Sequence, residues 1–230
     1  MTTKHFSQRF ILSAALIIAT SAVSAADGKL GYQDTPIIPG TKWHVHDGER
    51  PQPRVVTPAA TFSHLAPAPS DAKVLFDGKD LSQWEKSGGG AAPWKVENGY
   101  MEVAPKSGSI QTKERFADFQ LHLEFATPPK IDGNGQGRGN SGVLMNGIYE
   151  VQVLDSHNNP TYPDGQAGAL YGQTPPLVNA SKAPGEWQSY DIIFESPRWD
   201  GQGNLVKKAA VTVIQNGVVV QHRREYLGNT

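Results

Sequence analysis

The chain has 230 residues, with 21 Lys and Arg against 22 Asp and Glu, a formal net charge of −1. That balance lacks the basic excess that nucleic acid or an anionic membrane surface requires of a protein partner. Without cysteine there is no disulfide, thiolate metal site or thiol nucleophile, while 38% hydrophobic residues suffice for a buried core.

At the N-terminus, Lys4 and Arg9 precede an apolar run from Phe10 to Ala19, and small residues continue through Ser24, Ala25 and Ala26. A positive start, an apolar stretch of about ten residues and a small-residue end describe a secretory signal peptide. The run falls short of the roughly 18–20 apolar residues that a membrane span needs. Residues 1–26 are therefore expected to be a signal peptide, and the protein to be exported (periplasmic or secreted) without stable membrane insertion. Oligomeric state leaves no mark in the sequence.

Residues 27–72 carry seven prolines and hold neither helical nor strand periodicity for long. Proline fixes φ and removes the donor a ladder needs, so this segment reads as an extended arm or linker. Within it, His44 and His46 point to one side of an extended chain with Asp47 close by. Two readings stand there: a metal site, or an arm whose Trp43 plugs a surface groove.

Residues 73–230 alternate short β-type runs with turn signals. Val74–Phe76 stops at Asp77-Gly78, and Asn98-Gly99 joins Trp94–Glu97 to Tyr100–Val103. Phe119–Phe125 alternates strictly, with Phe119, Leu121, Leu123 and Phe125 on one face. Residues 142–154, Tyr190–Glu195, Ala210–Gln215 and Val218–Gln221 read as further strands, the last two joined by Asn216-Gly217. Asn-Gly between alternating runs is a hairpin signal, because both turn residues must accept positive φ. No window of twelve shows a helical stripe, so the class is all-β, a sandwich or barrel.

The run Ile148–Asp155 carries the chemistry. A period of two puts Tyr149, Val151 and Val153 on one face and Glu150, Gln152 and Leu154 on the other. The first set suits a core, and the second an outer face where a curved sheet offers a groove. Asp155 begins the next loop, and the glycine-rich stretch from Gly133 to Gly142 presents Arg138 and Asn140 from a rim. The following loop adds Ser156, His157, Asn158, Asp164 and Gln166, which hydrogen-bond in both directions. Tyr171 and Trp187 supply flat apolar faces on which a pyranose can lie, so the partner expected is a carbohydrate.

Four segments, in order, resemble the 3-keto-disaccharide hydrolase family over about residues 73–228. They are Leu75–Trp84, Asn140–Val143, Tyr149–Ser156 and Gly185–Asp191. Pro39–Asp47 also resembles an N-terminal extension found on some members. The resemblance implies a jelly-roll β-sandwich of the concanavalin A-like lectin and glucanase type. The family usually runs on to a closing strand, whereas this sequence stops at Thr230, so it is expected to be either a fragment or a domain lacking that strand.

It further implies a hydrolase or lyase that cleaves 3-keto-glycosides by elimination and hydration. A ketone at carbon 3 acidifies the hydrogen at carbon 2, so a carboxylate can remove it as general base. On that likeness Glu150 and Asp155 are the catalytic candidates, as base or metal ligand. Gln152, Arg138, Asn140, His157 and Tyr171 are the substrate-binding candidates. The cofactor stays open, with a divalent metal ion as one option for holding the enolate. A non-catalytic, lectin-like carbohydrate-binding module is the alternative, because the same sandwich and aromatics serve either role.

Overall fold

Residues 30–60 and 66–230 are described by the computed structural model of this protein; the expected signal peptide lies outside the described residues. These residues form fourteen strands and two single-turn 3-10 segments, at Gly135–Gly137 and Pro163–Gly165. In chain order the strands are β1 (Arg54–Val55), β2 (Trp84–Lys86), β3 (Lys95–Glu97), β4 (Tyr100–Glu102), β5 (Ile110–Thr112), β6 (Phe119–Phe125) and β7 (Asn140–Met145). There follow β8 (Tyr149–Leu154), β9 (Val178–Asn179), β10 (Gln188–Glu195), β11 (Arg198–Trp199), β12 (Leu205–Lys207), β13 (Ala210–Gln215) and β14 (Val218–Glu225). The fold is all-β, a jelly-roll type of β-sandwich.

The largest sheet runs β14-β13-β10-β6, antiparallel throughout. Opposite its inner face stands the β7–β8 hairpin. Met145, Tyr149, Val151 and Val153 of the hairpin share one cluster with Tyr190, Ile192, Phe194, Val211 and Val213 of the sheet. Each such side chain contributes about 1.5–3 kcal/mol by leaving water. Two tyrosine hydroxyls tie the layers together. Tyr190 donates to the Gln152 carbonyl (2.7 Å) and Tyr226 to the Glu150 carbonyl (3.1 Å). The core therefore grips the backbone of the two polar residues in β8 from behind.

The Asn98-Gly99 and Asn216-Gly217 turns form as expected, with all four φ angles positive. The 142–154 run is not one strand. Asn146 and Gly147, at φ 51° and 74°, break it into β7 and β8, a third turn of the same chemistry. Val74–Phe76 lies in no strand. The outer face of β8 also differs from a solvated surface: Gln152 is 1% exposed and Leu154 is fully buried.

The proline-rich arm lies on the sandwich. β1 pairs in parallel with β9, and Ile38 is buried. His44 Nδ1 engages the Thr35 carbonyl, whereas His46 Nδ1 faces Asp164 at 3.3 Å. The Asp47 carboxylate accepts from Gln33 Nε2 at 2.6 Å. These three groups thus point to separate partners and form no common ligand set, which corrects the metal reading of the arm. Trp43 is half-buried and carries the Lys42 ammonium 4.6 Å from its ring centroid, while His46 is seated against Asp164.

Candidate active site

Glu150 lies diagonally across β7, and this is possible because residue 142 is glycine. A Cβ at that position would collide with the carboxylate, lying 2.7 Å from Glu150 Cδ and 3.0 Å from its Cγ. Glu150 is half-buried, and burial alone pushes its carboxyl above the usual range.

The adjoining Gln152 carboxamide sits among four oxygens. One end is 3.0 Å from Gln136 Oε1 and 3.2 Å from Asn140 Oδ1. The other is 2.9 Å from the Ser141 carbonyl and 3.3 Å from Glu150 Oε1. Gln136 and Asn140 cannot turn, since their amide nitrogens donate to the Gly165 and Gln136 carbonyls, each at 3.0 Å. The carboxamide thus bridges the two sides, with Gln136 and Asn140 at one end and Glu150 and the Ser141 carbonyl at the other. Burial therefore raises the proton affinity of this carboxyl above that of a free one.

Asp155 is placed differently. Its carboxylate is paired with the Arg138 guanidinium, and both residues are at least nine-tenths buried. Arg138 Nη1 donates to the His157 carbonyl at 3.3 Å, and the His157 amide donates to Asp155 Oδ1 at 3.3 Å. Arg138 and Asp155 line a cleft of about 410 Å3 together with Lys130 and Asp132. The rim thus brings Arg138, Asp155 and His157 together, while Glu150, Gln152 and Asn140 form a second group.

Tyr171 belongs to a third. Its hydroxyl is 2.9 Å from that of Tyr162, and the His46 ring packs on both, 4.2 Å from Tyr162 and 4.8 Å from Tyr171. Trp187 stands apart, edge-on to Tyr100 at 5.8 Å. Among the described residues no three His, Cys, Asp or Glu side chains gather to hold a metal ion. The Glu150 carboxyl lies beside the Gln152 carboxamide, and a cation at Asp155 would face the Arg138 guanidinium.

Sequence reasoning passed over Gln136, Gly142 and the His46–Asp164 contact. A glycine diagonal to a strand carboxylate is a readable signal for the second. The third joins residues 118 positions apart and has none.

Residues 71–230 match the family model described as the 3-keto-alpha-glucoside-1,2-lyase-like domain. The crystal structure of a candidate glycosyl hydrolase from Parabacteroides distasonis is similar at 52% identity and a TM-score of 0.70, over 78% of this chain and 77% of that one. A second candidate glycosyl hydrolase from the same organism is 21% identical with a TM-score of 0.48, over 65% of this chain and 70% of that one. No curated protein matches the sequence.

Proposed function

Because this chain belongs to the family of 3-keto-alpha-glucoside-1,2-lyase-like domains, we propose that it is an exported, carbohydrate-active enzyme that opens 3-keto-glycosides by elimination and hydration. The observation that carries this reading is Glu150: a half-buried carboxyl, raised by burial, laid over a glycine and held beside a fixed amide. A base that must take a proton from carbon works best when its affinity for that proton is near the working pH.

In this scheme Glu150 removes the carbon-2 proton. The electron pair forms the carbon 1–carbon 2 double bond through the enolate, and the group on carbon 1 departs with its bonding pair. Water then adds at carbon 1, and Glu150, whose acid proton exchanges with solvent in the meantime, protonates carbon 2. No oxocarbenium ion forms, so a second carboxylate at glycosidase spacing is not required. Gln152, fixed by Gln136 and Asn140, orients the sugar and the acid.

The reaction is tested by incubating the mature protein with a 3-keto-disaccharide in deuterated water. Elimination and hydration put deuterium on carbon 2 of the released keto sugar, at a rate far above the enzyme-free control. Release of the sugar without deuterium at carbon 2 would indicate direct displacement and refute the scheme. Export is checked by sequencing the N-terminus of the mature protein, which should begin near Asp27.

A further inference from the structure

We propose that His46, carried by the N-terminal arm, exchanges the proton of the leaving oxygen, completing the reaction that Glu150 begins. The inference rests on the reaction proposed above, and its own support is a buried histidine–carboxylate pair. Asp164 is fully buried and commits both carboxylate oxygens to one residue. Oδ2 accepts the His46 backbone N–H at 2.9 Å, and Oδ1 lies 3.3 Å from Nδ1. A carboxylate on Nδ1 fixes the tautomer and makes Nε2 the atom that gains and loses a proton.

Nε2 has no hydrogen-bond partner among the described residues, and the side chain is 17% exposed, so this pair has an open end. The other groups facing the ring are Tyr162, Tyr171 and Tyr32, with ring centroids at 4.2, 4.8 and 6.4 Å. The Arg50 guanidinium interacts with Asp164 through space. Asp47 turns away, held by Gln33 and by the Glu49 and His44 amides. His46 also adopts φ 60°, a conformation uncommon outside glycine, which its contacts hold in place.

The pair adjoins the Glu150 group. A Cβ on Gly165 would clash with the Tyr162 ring on one side and sit 2.8 Å from Gln136 Nε2 on the other. Gln136 in turn holds Gln152, and Gln152 meets Glu150. One wall therefore runs from the acid that takes the carbon-2 proton to the imidazole.

In the elimination step the carbon 1–oxygen bond breaks and the departing oxygen takes the Nε2 proton of the imidazolium. In the hydration step water gives its oxygen to carbon 1 and a proton back to Nε2. Both residues end as they began.

Leaving-group dependence tests the role. A 3-keto-disaccharide needs its leaving oxygen protonated, whereas a 4-nitrophenyl 3-keto-glucoside does not. In His46→Gln, kcat/KM on the disaccharide should fall by about 10²–10⁴-fold, the usual contribution of general acid catalysis, and by no more than about fivefold on the nitrophenyl substrate. Asp164→Asn, which leaves an acceptor for the arm's backbone, should show the same asymmetry should His46→Gln fold poorly. Imidazole added to His46→Ala should restore disaccharide turnover. Equal losses on both substrates would reduce His46 to a positioning residue and overturn the proposal. Turnover of neither substrate by the wild type would overturn the reaction itself, and this role with it.

Discussion

Glu150 holds its pose because nothing projects from residue 142. In Gly142→Ala the new methyl takes the space of the carboxylate, and kcat should fall by about 10²-fold, with at most ~1 kcal/mol lost in stability. Turnover and thermal melting measured on one preparation separate the two effects. Burial of Glu150 also affects stability, with a sign set by linkage. The folded state holds this proton more tightly than the unfolded chain, so ionised Glu150 destabilises the fold. That penalty is absent below the ordinary carboxyl value of 4.5, grows as pH rises through it toward the elevated folded value, and is constant above. Glu150→Gln should therefore melt higher than wild type at pH 7 while losing turnover. Melting curves at pH 4 should bring the two proteins together; a variant less stable at pH 7 would contradict the burial argument.

Among the elements, the β7–β8 hairpin does the positioning, and its turn is a pair of residues in left-handed backbone. Gly147→Ala at φ 74° should lower stability by about 1 kcal/mol, read from denaturant midpoints with an unchanged slope. The turn was readable, since Asn146-Gly147 repeats the signal of Asn98-Gly99 and Asn216-Gly217. Alternation also placed Tyr149, Val151 and Val153 correctly in the core, because a strand's pleat is local. The outer face was less legible. Whether Gln152 and Leu154 meet water depends on what covers them, and no periodicity within β8 records that. The backbone of Gly168 and Ala169, which bonds to Gln152 on its free edge, comes from a later loop. Asp155 reads alike in sequence whether it faces a groove or a guanidinium; only Arg138, seventeen residues earlier, decides it.

For the molecule as a whole, the arm is structural. Ile38 is 2% exposed, so Ile38→Ala should cost about 2–5 kcal/mol, a sizeable share of a typical domain's stability. Chemical denaturation checks this; a loss under 0.5 kcal/mol would mean that the arm contributes little. Three side-chain contacts seat the neighbouring segment: His46 on Asp164, Arg50 on the Gln173 carbonyl (3.1 Å) and Gln52 on the Thr161 carbonyl (2.9 Å). Proline content reads as an arm or linker, yet residues 30–50 fold back through the Gly31–Asp47 and Ile37–His44 bridges, and composition cannot distinguish a tether from a strap, because that is settled by partners more than a hundred residues away.

That separation has a consequence for biogenesis. The arm leaves the ribosome first, and its seat, around residues 161–179, is synthesised roughly ten seconds later at ordinary elongation rates. Meanwhile it must neither form a premature ladder nor join a neighbouring chain. Prolines, which withhold amide donors, keep the early segment unattached until its acceptor exists.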